Sequence, residues 1–189
     1  MKNKISAALC HCVLETQFGQ VAIVWSRHQG CVMIEGIVIP SPDLESSRIL
    51  KQDYPDSQFS SCIEIDELAA QVFAYFSGEK IRFLLDNLRL DQCSLFQQQV
   101  LKACFKIPRG RISTYKNIAE QIGRPKAVRA VGTALAKNPF AIIIPCHRVV
   151  SSDLKTGGFY GGAGMKRALL ELEGVEFDAF GRTCSDFLV

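Results

Sequence analysis

One segment of the chain places a nucleophile beside a base. Residues 142–150 read Ile-Ile-Ile-Pro-Cys-His-Arg-Val-Val, so Cys146 precedes His147 at the end of an apolar run. The attacking form of cysteine is the thiolate, and positive neighbours lower the pKa that controls its abundance. We therefore expect Cys146 to end a buried strand and to be an activated nucleophile. No other cysteine of the chain is followed by a histidine and an arginine at the end of an apolar run.

Basic side chains are concentrated in the second half of the chain. The formal net charge is only +3 over 189 residues. Between Lys102 and Lys137, however, nine lysines and arginines face a single acidic residue, Glu120. A local excess of this size predicts a polyanionic partner, although a solvated basic face would give the same pattern.

Cysteine usage and hydropathy indicate the class of protein. The eight cysteines are irregularly spaced and the hydrophobic content is 48%, so we expect reduced thiols in a cytoplasmic protein, or a nuclear one in a eukaryote. A strand over Cys10-His11-Cys12 would put both thiols on one face and the imidazole on the other, which suits zinc poorly. We expect no metal. The first dozen residues have the outline of a short signal peptide without a convincing cleavage site, and no apolar stretch predicts a membrane span.

The first half of the chain has the pattern of a small α/β domain. Three segments rich in valine, isoleucine and cysteine predict an antiparallel meander over residues 10–16, 20–26 and 31–39. Asp43 is the predicted N-cap of a short helix. Apolar residues at helical spacing from Ile65 to Phe76 predict a second helix that ends at Gly78. We interpret this half as packing, without chemistry of its own.

The second half changes to short helices. Apolar positions from Phe96 to Cys104 predict one helix, and two more are predicted over Tyr115–Ile122 and Pro125–Lys137. Two short helices joined by a tight glycine-containing turn are typical of helix-turn-helix DNA binding. The second of them carries small side chains, which let its backbone approach closely but supply little for reading bases. Arg129 is its one long side chain that could reach inward.

Together these segments resemble the O6-alkylguanine-DNA alkyltransferase family, also called methylated-DNA–protein-cysteine methyltransferases. The resemblance covers residues 92–175 and is carried by Pro145-Cys146-His147-Arg148-Val149-Val150, by Arg129-Ala130-Val131-Gly132, and by Gly161-Gly162 followed by Lys166 and Glu173. It implies an α/β (α+β) fold in two domains. Residues 1–90 would form an N-terminal domain with a ribonuclease-H-like three-stranded sheet and helices. Residues 91–189 would form a C-terminal helical domain with a winged helix-turn-helix.

The resemblance also implies a reaction. The damaged nucleotide would be flipped out of double-stranded DNA, with Arg129 filling its place in the stack and Tyr115 pressing on the neighbouring phosphate. Cys146 would accept the alkyl group of O6-alkylguanine, and of O4-alkylthymine, in a single turnover. His147 would form the thiolate through a water, with Glu173 orienting the imidazole.

Other residues take supporting roles by the same resemblance. Asn138 would brace the turn that carries the cysteine, and the Tyr115 hydroxyl would donate to guanine N3. The DNA contacts would include Ala127, Ala130, Gly132 and Thr133, and the substrate contacts Arg148, Val149, Phe159, Tyr160 and Gly161. No metal or organic cofactor is implied, and we expect a monomer, with cooperative binding along DNA left open.

Three positions depart from the family pattern. Phe159 stands where a tyrosine is usual, Tyr160 where many members have serine, and Ala141 where some have proline.

Three other classes of protein stay open. A non-catalytic alkyltransferase-like protein would bind lesions without reacting, but those relatives lack the cysteine of the Pro-Cys-His-Arg motif. A cysteine hydrolase would use a similar Cys-His pair and would turn over repeatedly. A transcription-regulating helix-turn-helix module is a weaker alternative, because the second helix lacks base-reading side chains.

Overall fold

The N-terminal sheet follows the predicted meander. The computed structural model describes residues 8–189, so most of the signal-peptide-like segment lies outside the described residues. Strands β1 (Cys10–Thr16), β2 (Gly19–His28) and β3 (Cys31–Val38) pair antiparallel in sequence order. A short strand β4 (Gln58–Phe59) adds to β1 in parallel, so the sheet order is β3-β2-β1-β4. The sheet therefore has four strands, and the prediction of three is wrong. The missed edge strand, β4, is two residues long, which is too short to show an alternation of apolar and polar residues.

Two helices pack on this sheet. Helix α1 (Ser46–Asp53) has Glu45 at its N-cap position, so the prediction of Asp43 as N-cap is wrong. Asp43 instead lies in a turn closed by reciprocal backbone hydrogen bonds between Ser41 and Leu44. Helix α2 (Ile63–Phe76) confirms the predicted second helix, and Gly78 follows it with a positive φ of 97°.

The second half contains four helices, as far as the described residues show. Helix α3 (Leu95–Phe105) and helix α4 (Tyr115–Gln121) confirm the predictions, and the Ser94 and Thr114 side chains cap their N-termini. Helices α5 (Val128–Ala136) and α6 (Gly162–Leu172) complete the set.

Helix α5 begins three residues later than predicted. The backbone N–H of Ala127 donates to the Arg124 carbonyl at 2.8 Å and closes a separate turn before the helix. Pro125 lies in that turn and not in the first helical turn, so the predicted start is wrong. The link between α4 and α5 is correspondingly longer than the sequence suggested.

The segment before Cys146 is not a strand, which corrects a second prediction. Ala141 and Ile144 form a tight bridge around Ile142, whose φ is +73°. Cys146 opens a single 3-10 turn, Cys146–Arg148, and only then does strand β6 (Val149–Val150) pair in parallel with β5 (Ser113–Thr114). The apolar run is buried because it turns within the core, and not because it crosses a sheet.

The core is continuous across the predicted domain boundary. One hydrophobic cluster contains Val21 of the sheet, Val100 of α3 and Leu169 of α6. The Ile37 amide also donates to the Pro139 carbonyl at 2.8 Å, which joins β3 to the segment before the cysteine. The mixed α/β class is confirmed, whereas the boundary between residues 90 and 91 stays a prediction. Over residues 8–189 we find no helix with the length and hydrophobicity needed to cross a membrane.

Phe140 provides a test of this shared core. Its side chain is fully buried and its backbone bridges to Ile37, so Phe140→Ala leaves a cavity between the two halves. We expect a loss of about 3–5 kcal/mol in the free energy of unfolding, measured by urea titration. Phe73→Ala is the matched control, since Phe73 is 53% exposed on α2 and its truncation should cost less than about 1 kcal/mol. Equal losses in the two variants would contradict a core shared by both halves.

Candidate active site

Cys146 lies where two cavities meet. A cavity of about 390 Å3 lies against α5 and is lined by Tyr115, Gly132, Leu135, Ala136, Cys146, Gly158, Phe159 and Tyr160. A second, of about 240 Å3, extends from the same cysteine towards β3 and α1 and includes Ile37, Ile39 and Tyr54 among its lining residues. The cysteine itself is only 9% exposed. A ligand must therefore enter one of these cavities to reach the sulfur atom.

Asn138 holds the turn that carries the cysteine. Its amide Nδ2 donates to the Ile144 carbonyl at 2.9 Å and to Cys146 Sγ at 3.3 Å, and its Oδ1 accepts from the Phe140 amide at 3.0 Å. These bonds satisfy backbone groups that a strand would otherwise have paired. The structure thus brings Asn138 and Cys146 together as the sequence predicts.

The resting thiol is less acidic than its neighbours suggested. Burial raises the pKa of Cys146, and this effect outweighs the opposing hydrogen bond from Asn138 and the positive charge of Lys166. The expectation that positive neighbours leave Cys146 with a lowered pKa is therefore wrong for the isolated protein. A base must take the thiol proton when the reaction begins.

His147, the next residue in the chain, is the candidate for that base. The imidazole is fully buried, and its Nε2 lies 3.0 Å from Glu173 Oε1. Burial lowers the pKa of His147 despite the nearby carboxylate, which keeps the ring neutral. Because the carboxylate can only accept, the ring proton belongs on Nε2. Nδ1 is then the basic nitrogen, and it has no hydrogen-bond partner among the groups of residues 8–189.

Glu173 is held as a carboxylate by donors from several segments. Arg148 donates from Nε to Oε2 and from Nη2 to Oε1, both at 2.8 Å, and the Gly110 amide donates to Oε2 at 3.2 Å. Burial alone would raise the pKa of Glu173, but hydrogen bonds from His147 and Arg148 and the positive charge of Arg148 outweigh it and hold that pKa far below its usual range. The carboxylate is thus ionised and fixed in place.

The guanidinium of Arg148 is fully used in holding Glu173 and a backbone carbonyl. Besides Glu173, its Nη1 donates to the Ile107 carbonyl at 2.7 Å. It lines neither cavity that Cys146 borders, although the sequence predicted a substrate contact for it. Arg148 therefore holds Glu173, which is the hydrogen-bond partner of His147.

Two residues of the site were not assigned a role from the sequence. Tyr75 of α2 is 1% exposed, and its hydroxyl contacts both His147 and Glu173. In the sequence, Tyr75 places a hydroxyl group on the apolar face of a predicted helix. When such a hydroxyl is buried, it needs a hydrogen-bond partner. Lys166 is fully buried, and its Nζ donates to the Val149 carbonyl at 2.6 Å and the Gly158 carbonyl at 3.3 Å. Burial lowers the pKa of Lys166 to about 8.

The remaining predicted residues divide between the cavity and the outer surface. The Tyr115 hydroxyl reaches towards the Gly158 carbonyl at 3.5 Å, and Phe159 and Tyr160 line the larger cavity beside it. Val149 and Gly161 are buried and do not line this cavity. On α5 and the turn before it, Arg129, Ala130 and Thr133 are exposed, while Ala127 and Gly132 are partly buried. One side of α5 therefore faces solvent, while Gly132, Leu135 and Ala136 border the cavity of the thiol.

No metal cluster is found near the cysteines that the structure describes. Within residues 8–189, no group of three or more histidine, cysteine and acidic side chains could hold a metal ion. Cys12 is buried in the core, and His11 Nδ1 is hydrogen bonded to Ser57 Oγ at 3.0 Å. The Cys10-His11-Cys12 motif thus points its groups in different directions.

The fold and the site define an α/β protein with a buried cysteine, a histidine–glutamate pair and two short helices at the cavity mouth. Residues 95–175 match the family described as 6-O-methylguanine DNA methyltransferase, DNA binding domain. A methylated-DNA–protein-cysteine methyltransferase of Mycobacterium tuberculosis (strain H37Rv) is 44% identical over 140 residues, covering 69% of this chain and 79% of the relative. The one of Methanosarcina barkeri is 50% identical over 108 residues, covering 57% and 66%.

A solved structure agrees with these sequence matches. The Mycobacterium tuberculosis OGT, crystallised in complex with DNA, superposes with a TM-score of 0.70 at 33% identity, covering 86% of this chain and 91% of that chain. The chain belongs to the methylated-DNA–protein-cysteine methyltransferase family, which confirms the family predicted from its motifs.

The buried carboxylate generates a stability prediction. Glu173→Gln removes the charge that pairs with Arg148, and we expect it to cost about 3–5 kcal/mol in unfolding free energy at pH 7. The folded-state pKa of Glu173 is lowered, so its contribution is present above the unfolded pKa of about 4.3 and is lost as the pH falls further. The difference between native protein and variant should therefore shrink in acid, as followed by chemical denaturation across pH.

Glu171→Gln is the matched control for this prediction. Glu171 lies in the last turn of α6, two residues before Glu173; it is half-exposed and pairs with Arg167 at 2.8 Å. An exposed pair of this kind contributes less than about 1 kcal/mol. A Glu173→Gln variant as stable as Glu171→Gln, or one whose deficit grows in acid, would contradict the assigned ion pair.

Proposed function

We propose that this protein is a methylated-DNA–protein-cysteine S-methyltransferase that repairs O6-alkylguanine in DNA by moving the alkyl group onto Cys146. The observation that carries the proposal is that Cys146 lines a cavity of about 390 Å3 beside α5, and that the next residue, His147, has a buried Nδ1 without a hydrogen-bond partner among residues 8–189. The family membership of the chain supports the same activity. We extend the proposal to O4-alkylthymine, whose alkylated oxygen is chemically similar.

Double-stranded DNA approaches through α4 and α5. We interpret α4 and α5 as the two helices of a helix-turn-helix, for which the small parallel sheet β5-β6 would serve as the wing. The N-terminal sheet would be of the ribonuclease-H-like type. The exposed small residues of α5, Ala130 and Thr133, allow the helix backbone to enter the minor groove. Arg129 is exposed on the same helix and fills the space that the flipped nucleotide leaves. The protein acts as a monomer in this scheme.

The flipped base has a short path to the thiol. Gly132, Leu135 and Ala136 belong to α5 and also line the larger cavity. The helix that binds DNA is therefore one wall of the pocket that receives the base. Extruding the nucleotide costs a few kcal/mol in lost stacking, and contacts with Arg129 and the pocket walls offset that cost.

The reaction is an in-line displacement at the alkyl carbon. The thiol proton passes through a bridging water to Nδ1 of His147, and Glu173 stabilises the imidazolium that forms. The sulfur–carbon bond forms as the carbon–O6 bond breaks, and the electron pair of that bond stays on the guanine. The product is a thioether, which has no leaving group for a second step, so each molecule reacts once.

Groups around the cavity stabilise the departing guanine. Burial raises the pKa of Tyr115, so its hydroxyl keeps its proton and can donate a hydrogen bond to guanine N3. The Cys146 and Val149 carbonyls are the acceptors for the exocyclic amine, and Lys166 already donates to the Val149 carbonyl. Hydrogen bonds that strengthen as negative charge develops lower the barrier selectively.

The methyl acceptor can be identified by intact-protein mass. After incubation with a duplex that contains O6-methylguanine, we expect a gain of about 14 Da on the peptide with Cys146, with a limit of one methyl group per molecule. Cys146→Ser should show no gain. Cys31→Ser changes an exposed cysteine of β3 and should react as the native protein does. Repeated turnover, or tight lesion binding without an adduct, would refute the proposed transfer.

Nucleotide flipping can be separated from chemistry with Arg129→Ala. We expect the methyl-transfer rate from duplex DNA to fall about tenfold or more, because the vacated stack is no longer filled. The reaction with the free O6-methylguanine base should be unchanged, since no duplex must be opened. Both rates are read from the mass gain over time.

Arg124→Ala is the control for loss of one positive charge. Arg124 is exposed in the turn before α5, and its guanidinium lies 5.6 Å from the Phe96 ring centre. Its removal should lower duplex affinity modestly and reduce the salt dependence of binding by about one counterion. An Arg129→Ala variant that resembles Arg124→Ala, or that is equally slow on the free base, would argue against the flipping role.

A further inference from the structure

A side chain from the N-terminal half reaches into the catalytic relay, which we define as Cys146, His147 and Glu173. Tyr75 lies near the C-terminal end of α2, 72 residues before His147 in the chain. Its ring centre is 6.0 Å from that of Phe83, and the Arg109 guanidinium lies 5.5 Å above its face. The ring is therefore clamped on two sides, and the position of its hydroxyl is well defined.

The Tyr75 hydroxyl contacts both His147 and Glu173. It donates to Glu173 Oε1 at 2.7 Å, and its oxygen lies 3.1 Å from His147 Nε2. Arg148 keeps Glu173 ionised, so the carboxylate can only accept and the tyrosine proton points towards it. The oxygen lone pairs of Tyr75 then face the Nε2–H of the imidazole. This geometry fits the tautomer in which Nδ1 is free to accept a proton, and it disfavours the other.

We propose that Tyr75 is a positioning residue of the relay, which fixes the imidazole of His147 and moderates the charge of Glu173 through one hydroxyl group. The proposal builds on the proposed methyl transfer, because the relay serves that reaction. It assigns a functional contact to the half of the chain that the sequence suggested was packing alone.

Two effects of this hydroxyl on an imidazolium have opposite signs: its oxygen accepts from Nε2–H at 3.1 Å, and its proton is donated to Glu173 at 2.7 Å. The shorter bond, to a charged carboxylate, is the stronger, so it decides the sign of the sum. Around the imidazole stand one negative group, Glu173, two positive groups, Arg148 and Lys166, and the neutral thiol of Cys146. A hydrogen bond donated to a carboxylate disperses its negative charge, which leaves less to stabilise an imidazolium. Tyr75 therefore works in the same direction as burial and keeps His147 neutral. A neutral imidazole is the form that can accept the thiol proton.

The matching experiment removes only the oxygen atom. Tyr75→Phe keeps the ring, its contacts with Phe83 and its position under Arg109, but Glu173 loses one donor. The rate at which iodoacetamide alkylates Cys146 is measured from about pH 5 to pH 9 by mass spectrometry of the peptide with that cysteine. NMR titration gives the pKa of His147 separately; the chain has three histidines, so the resonance is assignable with His147→Gln.

We expect the pKa of His147 to rise in Tyr75→Phe, and the acidic limb of the alkylation profile to move to higher pH with it. Alkylation near the acidic end should fall about three- to tenfold below that of the native protein, and the two rates should converge at alkaline pH. An unchanged or lowered pKa of His147 would overturn the proposal. A loss of rate that is equal at every pH would also overturn it, because that is the signature of a merely structural role.

Phe83→Leu is the packing control. It alters the surface on which the Tyr75 ring rests but leaves the hydroxyl in place, so stability should fall while the midpoint of the pH profile stays. A midpoint that moves as far in Phe83→Leu as in Tyr75→Phe would count against a specific role of the hydroxyl. Neither readout uses DNA. Failure of methyl transfer with a shifted profile would refute only the proposed function, and methyl transfer with an unshifted profile would refute only the role of Tyr75.

Discussion

The buried carboxylate of Glu173 is the constraint on which the rest of the site depends. An ionised carboxylate away from water is costly unless donors surround it, and here they come from α2, from the turn before β5 and from the 3-10 turn of the cysteine. Satisfying one charge therefore requires segments from both halves to converge. That convergence orients His147 and leaves its Nδ1 as the basic nitrogen. The hydrophobic core is likewise shared by both halves of the chain.

The thiol itself is kept unreactive until this arrangement is used. Burial favours the protonated form of Cys146, and the hydrogen bond from Asn138 only partly opposes it. A neutral histidine nearby supplies the missing basicity without a permanent thiolate. Such a division suits the single-turnover transfer proposed above, because a thiolate exposed at rest would be lost to oxidation or to other alkylating agents. The same logic explains why the cysteine lies in a braced turn at the edge of a cavity.

Helix α5 joins recognition to chemistry. Its outward side carries Arg129 and small residues, and its inward side provides Leu135 and Ala136 to the cavity wall. In the proposed function, a base that leaves the duplex at this helix enters the cavity that Cys146 lines. The lack of base-reading side chains, visible already in the sequence, fits a repair protein that must act in any sequence context. Under the same proposal, the small residues of α5 serve both the close approach to DNA and the width of the pocket.

The sequence by itself determined the local features. The adjacency of Cys146 and His147 is covalent, and the helices α2, α3 and α4 could be predicted because their apolar spacing and caps are properties of neighbouring residues. Only the tertiary structure decided that the run before Cys146 turns instead of extending, since Asn138 supplies the hydrogen bonds of that turn. It alone also decided that Tyr75 meets His147 and that burial raises the pKa of the thiol. Such contacts join residues far apart in the chain, and solvent exclusion depends on the whole fold, so no local pattern encodes them.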